Sequence, residues 1–338
     1  MSKQELETIA NAMVADKKGI LAADESTGTI QKRFDSINAK STHDSRRDYR
    51  EMLFTTDEAM QNYISGVILY DETIRQTATN GASLVSLIEK AGSIPGIKVD
   101  TGAKNMALHE GEMITEGLDG LRERLAEYHD LGARFAKWRA VINIADGKPS
   151  QACLNANAHA LARYAALCQE ARIVPIVEPE VIMDGGHSVE NCYDVTSAAL
   201  TTLFAALKDQ SVHLEGTILK PNMVVSGTLN AHQADVQQVA ELTIKCFKNT
   251  VPEAIPGIVF LSGGQSDVDA TAHLDAMNKI GNLPWKMSFS YGRALQAAPL
   301  KAWSGKTENV AAAKAAFLHR ARMNGLAAMG QWDVSLEG

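Results

Sequence analysis

The chain has 338 residues, 45% hydrophobic and 22% charged, with a formal net charge of −7. This composition excludes a disordered chain, and the acidic balance runs against a general nucleic-acid binder, which needs basic excess to neutralise phosphates. No stretch reaches the roughly 20 apolar residues of a membrane-spanning helix, and the four widely spaced cysteines (Cys153, Cys168, Cys192, Cys246) contain no CxxC pair, so they fit a reducing cytoplasm better than a disulfide framework or zinc knuckle.

The opening MSKQELETIANAMV lacks an apolar export core, and Ser2 with Glu5 has the spacing of a helix capping box, so the segment is expected to open the fold. Short apolar runs bounded by Gly or Pro then predict strands over 19–24, 64–70, 96–100, 134–142, 173–181, 216–220, 257–264 and 285–293. Between them lie amphipathic stretches such as LDGLRERLAEYHDLG, AHALARYAALCQEAR, VTSAALTTLFAALKDQ and DVQQVAELTIKCFKNT, apolar at three- and four-residue spacing. Strand starts recur about every 28 to 46 residues, which suits βα units and a parallel sheet. The expected fold is α/β, a (β/α)8 TIM barrel forming a single domain over 1–338. An open doubly wound sheet is the rival, but the first strand leads into DESTGT, which lacks the GxGxxG spacing of a nucleotide loop.

In such a barrel the chemistry sits at the C-terminal ends of the strands. Those ends carry Asp24, then Lys98 with Asp100, Lys137 with Arg139, Glu178 with Glu180, Lys220, Ser262, and Ser290 with Arg293. Residues two apart on a strand share a face, so Lys98 with Asp100, Lys137 with Arg139, and Glu178 with Glu180 are each expected to point the same way. One such pair is unremarkable as a solvated strand end; seven ends of eight carrying charged or polar side chains are not.

Lys220 ends the apolar run Thr217-Ile218-Leu219 and precedes Pro221. A lysine is a poor nucleophile at neutral pH unless burial or nearby cations favour its neutral amine, and Lys98, Lys137 and Arg139 converge on the same mouth if the barrel closes. The expectation is that like charges depress the pKa of one of these lysines. Its attack on a carbonyl gives a carbinolamine and then an iminium ion, an electron sink for carbon–carbon cleavage or proton removal beside a ketone. Glu178, Glu180 and Asp24 are candidates for the proton transfers. The loops LSGGQS and FSYGRA allow backbone N–H groups and Arg293 to meet a phosphate, and Ser26, Lys32 and Arg33 are candidates for a second.

Two motifs mislead. LSGGQ matches an ABC-type ATPase signature and SGKT the tail of a P-loop, but Leu300 stands where the P-loop needs its first glycine. The nine histidines are never closer than 19 residues, so no HxH or HExxH pair exists.

The blocks GILAADEST, GVILYDET, GIKVDTG, FAKWRAV, IVPIVEPE, LEGTILKPNMV, FLSGGQS and FSYGRALQ, in order from about residue 2 to about residue 330, resemble those of class I fructose-bisphosphate aldolases. The resemblance implies a metal-independent lyase without cofactor, cleaving fructose 1,6-bisphosphate reversibly to dihydroxyacetone phosphate and glyceraldehyde 3-phosphate in glycolysis and gluconeogenesis. It implies Lys220 as the Schiff-base lysine, Glu178 as general acid and base, and Glu180 as support for Lys220 and dehydration. Lys137 stabilises charge during imine chemistry, and Asp24 accepts the C4 hydroxyl proton. Ser262, Gly263, Ser290, Gly292 and Arg293 hold one phosphate, while Ser26, Thr29, Lys32, Lys98 and Arg139 serve the other end. Thr29 stands where Ser is familiar and keeps the hydroxyl. The ending GQWDVSLEG lacks the longer tail whose terminal tyrosine assists proton exchange in animal relatives, so slower exchange and a bacterial-type member are expected. The resemblance also implies a cytoplasmic homotetramer with no nucleic-acid or membrane partner. A Schiff-base aldolase acting mainly on another phosphorylated ketose such as fructose 1-phosphate, and a non-catalytic scaffold, stay open beside it.

Overall fold

The computed structural model describes residues 3–338, so Ser2 of the expected capping box lies outside the described residues. The strands in chain order are β1 (Gly19–Ala23), β2 (Ile64–Leu69), β3 (Ile94–Lys98), β4 (Gly102–Asn105), β5 (Met113–Glu116), β6 (Phe135–Ile142), β7 (Val174–Val181), β8 (Ile218–Leu219), β9 (Gly257–Phe260) and β10 (Lys286–Tyr291). Eight of them close a parallel barrel in the order β1-β10-β9-β8-β7-β6-β3-β2, the expected closed architecture rather than an open sheet.

Two-residue alternation explains why one barrel holds both a dry core and a charged mouth. Ile20, Ala22, Ile68, Phe135, Val174, Ile176, Ile218 and Val259 form one apolar cluster with Leu6, Ala10 and Met13 of the N-terminal helix Lys3–Met13, and with Val14 just beyond it. That helix therefore packs its apolar face onto the inward-facing residues. Two residues further along the same faces come Asp24 after Ala22, Lys137 after Phe135, Glu178 after Ile176 and Lys220 after Ile218. Pairing of Arg139 with Glu178 and of Lys98 with Lys137 sets these side chains at related heights.

The ring of Phe135 occupies space that most residues on neighbouring strands would fill. A Cβ added at Gly96 would lie 2.3 Å from that ring, closer than any real contact. Gly96→Ala is therefore expected to destabilise the barrel by about 1–3 kcal/mol through overpacking. A lower urea midpoint at unchanged slope would register this, and an unchanged midpoint would refute it.

The outward faces pack on helices, with the Trp138 and Tyr164 ring centroids 5.6 Å apart. Helices Gln151–Glu170, Val189–Asp209 and Val236–Thr250 start where Ser150, Ser188 and Asp235 accept from first-turn N–H groups, the local reason for their boundaries.

Three strands, β8, β9 and β10, are at least three residues shorter than expected. The segment 216–220 keeps only two strand residues because Leu214–Gly216 forms a 3-10 turn. The Lys220 N–H still donates to the Val177 carbonyl at 2.9 Å, after which Pro221 has no donor to offer. β9 stops at Phe260 and the chain turns at Gly263, whose φ of +52° suits glycine, while β10 ends at Tyr291 before a helix begins at Arg293. The antiparallel hairpin β4–β5 was not expected at all. Its strands are short and largely polar, so they carry no apolar alternation. The hairpin braces β6 from outside: the Thr115 hydroxyl donates to the Arg139 carbonyl at 2.7 Å, and the Asn157 amide donates to the Met113 carbonyl at 2.9 Å.

Candidate active site

A cavity of 540 Å³ opens at the C-terminal ends of the barrel strands. A hollow of 780 Å³ beside His187 is larger, but its one lysine, Lys148, stands with only Asp146 and Asp194 and no second lysine, so size does not identify the site; convergent chemistry does. All the candidate residues named from the sequence line the smaller cavity: Asp24, Lys137, Glu178, Glu180 and Lys220; Ser262, Gly263, Ser290, Gly292 and Arg293; and Ser26, Thr29, Lys32, Lys98 and Arg139.

At its centre Glu178 lies between two lysines. Lys220 Nζ is 3.1 Å from Glu178 Oε1 and Lys137 Nζ is 3.4 Å from Glu178 Oε2, while Lys137 also sits 2.8 Å from Asp24 Oδ2. Lys137 and Lys220 are each 4% exposed and Glu178 is 3% exposed, so water screens these contacts little. Further out, Arg139 pairs with Glu180, and Lys98 with Asp100 at 3.5 Å. Asp100 also accepts the backbone N–H groups of Gly102 at 3.1 Å and Arg139 at 3.3 Å, tying the end of β3 to β6.

The electrostatics distinguish the two lysines. Burial pushes the Lys137 ammonium toward neutrality, but Asp24 and then Glu178 outweigh it and hold its pKa above the usual lysine value. The expected depression by neighbouring cations therefore does not operate on Lys137, because its nearest charged neighbours are carboxylates. Lys137 is a held cation. Among the described residues, Lys220 meets only the Glu178 carboxylate within ion-pair distance. Burial also pushes the Glu178 carboxyl up, yet Lys220, followed by Lys137 and Arg139, brings it below the usual range. For Asp24, burial is likewise outweighed by Lys137 and Lys220, and the carboxyl is held well below its ordinary value.

Toward β9 and β10 the cavity has the elements of an anion site. The Ser290 hydroxyl is buried without a hydrogen-bond partner, and Ser262 is buried beside it in the lining. Gly292 opens the helix Arg293–Trp303, whose N-terminal N–H groups and dipole favour an anion, and the Arg293 guanidinium donates to the Gly263 carbonyl. After β1, the neighbour of β10 in the barrel, Ser26 caps the helix Thr27–Asp35 by position, but its hydroxyl shares a 3.1 Å contact with Thr29 rather than a backbone N–H. Lys32 and Arg33 extend from the last turn of that helix.

Glu25, Ser36 and Leu261 also line the cavity and were not singled out from the sequence. Alternation from Asp24 places Glu25 on the other face, but the chain has left β1 by then. The Glu25 carboxylate reaches Arg33 at 2.8 Å and accepts from the Gln296 amide at 2.8 Å. Its adjacency to Asp24 in AADES was the only signal available.

A closed eight-stranded parallel barrel carrying buried lysines and carboxylates at its mouth defines an α/β-barrel enzyme with its reaction site on the C-terminal rim. A family model described as fructose-bisphosphate aldolase class-I matches residues 5–338. The chain belongs to the class I fructose-bisphosphate aldolases. It is 59% identical to a probable fructose-bisphosphate aldolase class 1 of Xanthomonas campestris pv. campestris, over 98% of this chain and 99% of that one. Identity to the cytosolic fructose-bisphosphate aldolase 4 of Arabidopsis thaliana is 51%, over 96% of this chain and 83% of the relative. A solved fructose-bisphosphate aldolase from Plasmodium falciparum, in complex with TRAP and a small-molecule inhibitor, superposes with a TM-score of 0.95 at 48% identity, covering 98% of this chain and 95% of that one.

Proposed function

We propose that this chain cleaves fructose 1,6-bisphosphate reversibly through a Schiff base on Lys220, yielding dihydroxyacetone phosphate and glyceraldehyde 3-phosphate. The observation that carries this reading is the buried Lys220–Glu178–Lys137–Asp24 chain, in which Lys137 is the held cation and Lys220 the lysine with a single carboxylate neighbour. The neutral Lys220 amine attacks the C2 carbonyl carbon, forming a C–N bond while the oxygen takes up a proton. Loss of that hydroxyl as water, assisted by a proton from Glu178 and support from Glu180, gives the iminium ion. Asp24 then accepts the C4 hydroxyl proton as the C3–C4 bond breaks, the aldehyde departs, and the electron pair moves into the iminium to give a neutral enamine. Protonation at C3 and hydrolysis release dihydroxyacetone phosphate and restore the amine.

Lys220 is the largest charge holding down the Glu178 pKa. Whenever the Lys220 nitrogen becomes neutral, as in the carbinolamine or enamine, Glu178 is expected to become more basic and accept a proton. Regeneration of an iminium cation favours its release. One lysine thereby times the acid and base roles of one carboxylate.

The phosphate on C1, one bond from the imine carbon, is assigned to Ser262, Gly263, Ser290, Gly292 and Arg293. The strands carrying these loops follow β8 around the barrel. The C6 end is assigned to Lys98 and Arg139 on the far side of the barrel from β9 and β10, with Ser26, Thr29 and Lys32 from the segment after β1. Residues 1–338 are proposed to act as one domain, and a cytoplasmic homotetramer is the proposed assembly, supported by family membership and by four free, buried cysteines. No described helix is long and apolar enough to cross a membrane.

Borohydride reduction with dihydroxyacetone phosphate is expected to trap a covalent adduct on Lys220, located by peptide mapping. EDTA is expected to leave cleavage unchanged, since the iminium ion on Lys220 is itself the electron sink. An active enzyme with no label on Lys220 would overturn the mechanism. Equal kcat/KM for fructose 1-phosphate and the bisphosphate would overturn the substrate assignment.

A further inference from the structure

Arg50 has 0% exposure, sits on the helix His43–Phe54 and lines no part of the cavity. Burying a guanidinium is costly, and this one is incompletely paired: its Nε and Nη1 lack hydrogen-bond partners. Nη2 donates to the Glu25 backbone carbonyl at 2.8 Å, and the Glu25 and Glu72 carboxylates lie 3.9 and 3.7 Å from its nitrogens. Glu72 is shared with Arg46, which contacts it at 2.5 Å. An apolar side chain of similar volume would fill the space at lower cost, so stability alone does not account for this charge.

What the charge does hold is the chain just after β1. Residues 22–25 are fixed at three points: Gln296 donates to the Ala22 carbonyl at 2.7 Å, Lys137 contacts the Asp24 carboxylate at 2.8 Å, and Arg50 donates to the Glu25 carbonyl. The Glu25 side chain is turned toward Arg33 at 2.8 Å. Without the Arg50 contact, the Glu25 backbone carbonyl would lose its hydrogen bond, and the turn would be held at Glu25 by side-chain contacts to Arg33 and Gln296 alone.

We propose that Arg50 is a positioning residue that clamps the Asp24–Glu25 turn, aiming Asp24 at Lys137 and Glu25 at Arg33, and so couples the bond-breaking base to the cationic residues after β1 that grip the bisphosphate. The proposal rests on the reading of Asp24 as the base that accepts the C4 hydroxyl proton. It separates two parts of the reaction. Schiff-base formation with dihydroxyacetone phosphate uses Lys220 and the C1-phosphate loops and should not need the clamp. Cleavage of the bisphosphate should need it.

The test compares native enzyme, Arg50→Lys and Asp24→Asn for borohydride trapping with dihydroxyacetone phosphate and for kcat and KM of bisphosphate cleavage. A lysine keeps the charge but cannot span the Glu25 carbonyl and both carboxylates. Arg50→Lys is expected to retain trapping within about 2-fold while kcat for cleavage falls on the order of 10-fold to 100-fold, the scale of a small displacement of a catalytic group. Trapping and cleavage falling together, or a kcat within about 2-fold of native, would overturn the proposal. Unimpaired cleavage in Asp24→Asn would instead overturn the reading of Asp24, whatever Arg50→Lys does. Should Arg50→Lys not fold, Glu25→Gln carries the test: a KM for the bisphosphate raised several-fold with unchanged trapping is expected, and an unchanged KM overturns the coupling.

Discussion

Lys220→Met is expected to abolish both borohydride labelling and cleavage, with kcat lowered on the order of 10⁵-fold to 10⁶-fold, the scale of deleting a covalent nucleophile. The fold should survive. Glu178 would keep Lys137 at 3.4 Å as a partner, so removal of Lys220 does not leave that carboxylate alone. Loss of the largest charge opposing its burial should raise the Glu178 pKa, and the carboxyl can relieve the imbalance by taking up a proton. Circular dichroism and thermal unfolding would establish that the variant is folded; kcat and mass-spectrometric mapping would measure the chemistry. Substantial cleavage by a folded Lys220→Met enzyme would sink the Schiff-base assignment. Arginine at this position should not rescue activity, because its guanidinium stays protonated and cannot supply the free amine.

Asp24→Asn should lower cleavage on the order of 10²-fold to 10⁴-fold, the range for loss of a positioned general base, while leaving Schiff-base trapping with dihydroxyacetone phosphate largely intact. The substitution keeps the shape but removes the carboxylate 2.8 Å from Lys137. It also has a pH signature. The native Asp24 pKa is held well below the usual carboxylate range, with Lys137 and Lys220 overcoming the upward push of burial. A group depressed on folding contributes stability above its unfolded pKa, about 3.9 for aspartate, and loses that contribution as pH falls through its native value. The stability difference between native and Asp24→Asn enzyme should therefore be level through mildly acidic and neutral pH and shrink only below about pH 4. Urea unfolding at a series of pH values would measure it. A difference that collapses near pH 6 would contradict the ion pair.

Much of the barrel could be read because its strands are short apolar runs separated by helices long enough to show a three- and four-residue period. Helices such as 189–209 and 236–250 announce themselves by both period and cap. The hairpin at 102–116 did not, since its largely polar strands bury little surface and owe their place to hydrogen bonds with β6 and the helix behind it. The candidate site was legible for a related reason. Charge placed two residues beyond an inward apolar side chain on a barrel strand has to emerge at the mouth, as Lys137 after Phe135 and Lys220 after Ile218 do.

Alternation stops where the strand stops, which is why Glu25 was passed over and why Arg50 and Gln296, on helices remote in sequence, gave no sign of supporting the turn after β1. Sequence alone determined the eight barrel strands, the charged and polar residues at their ends, and, through eight ordered motif blocks, the resemblance to class I aldolases. Tertiary structure decided which lysine is held as a cation. Lys137 and Lys220 look alike as strand-end lysines, but closure of the barrel places two carboxylates beside the first and one beside the second. In a buried site those two carboxylates outweigh burial and hold Lys137 charged, because little water is present to screen them.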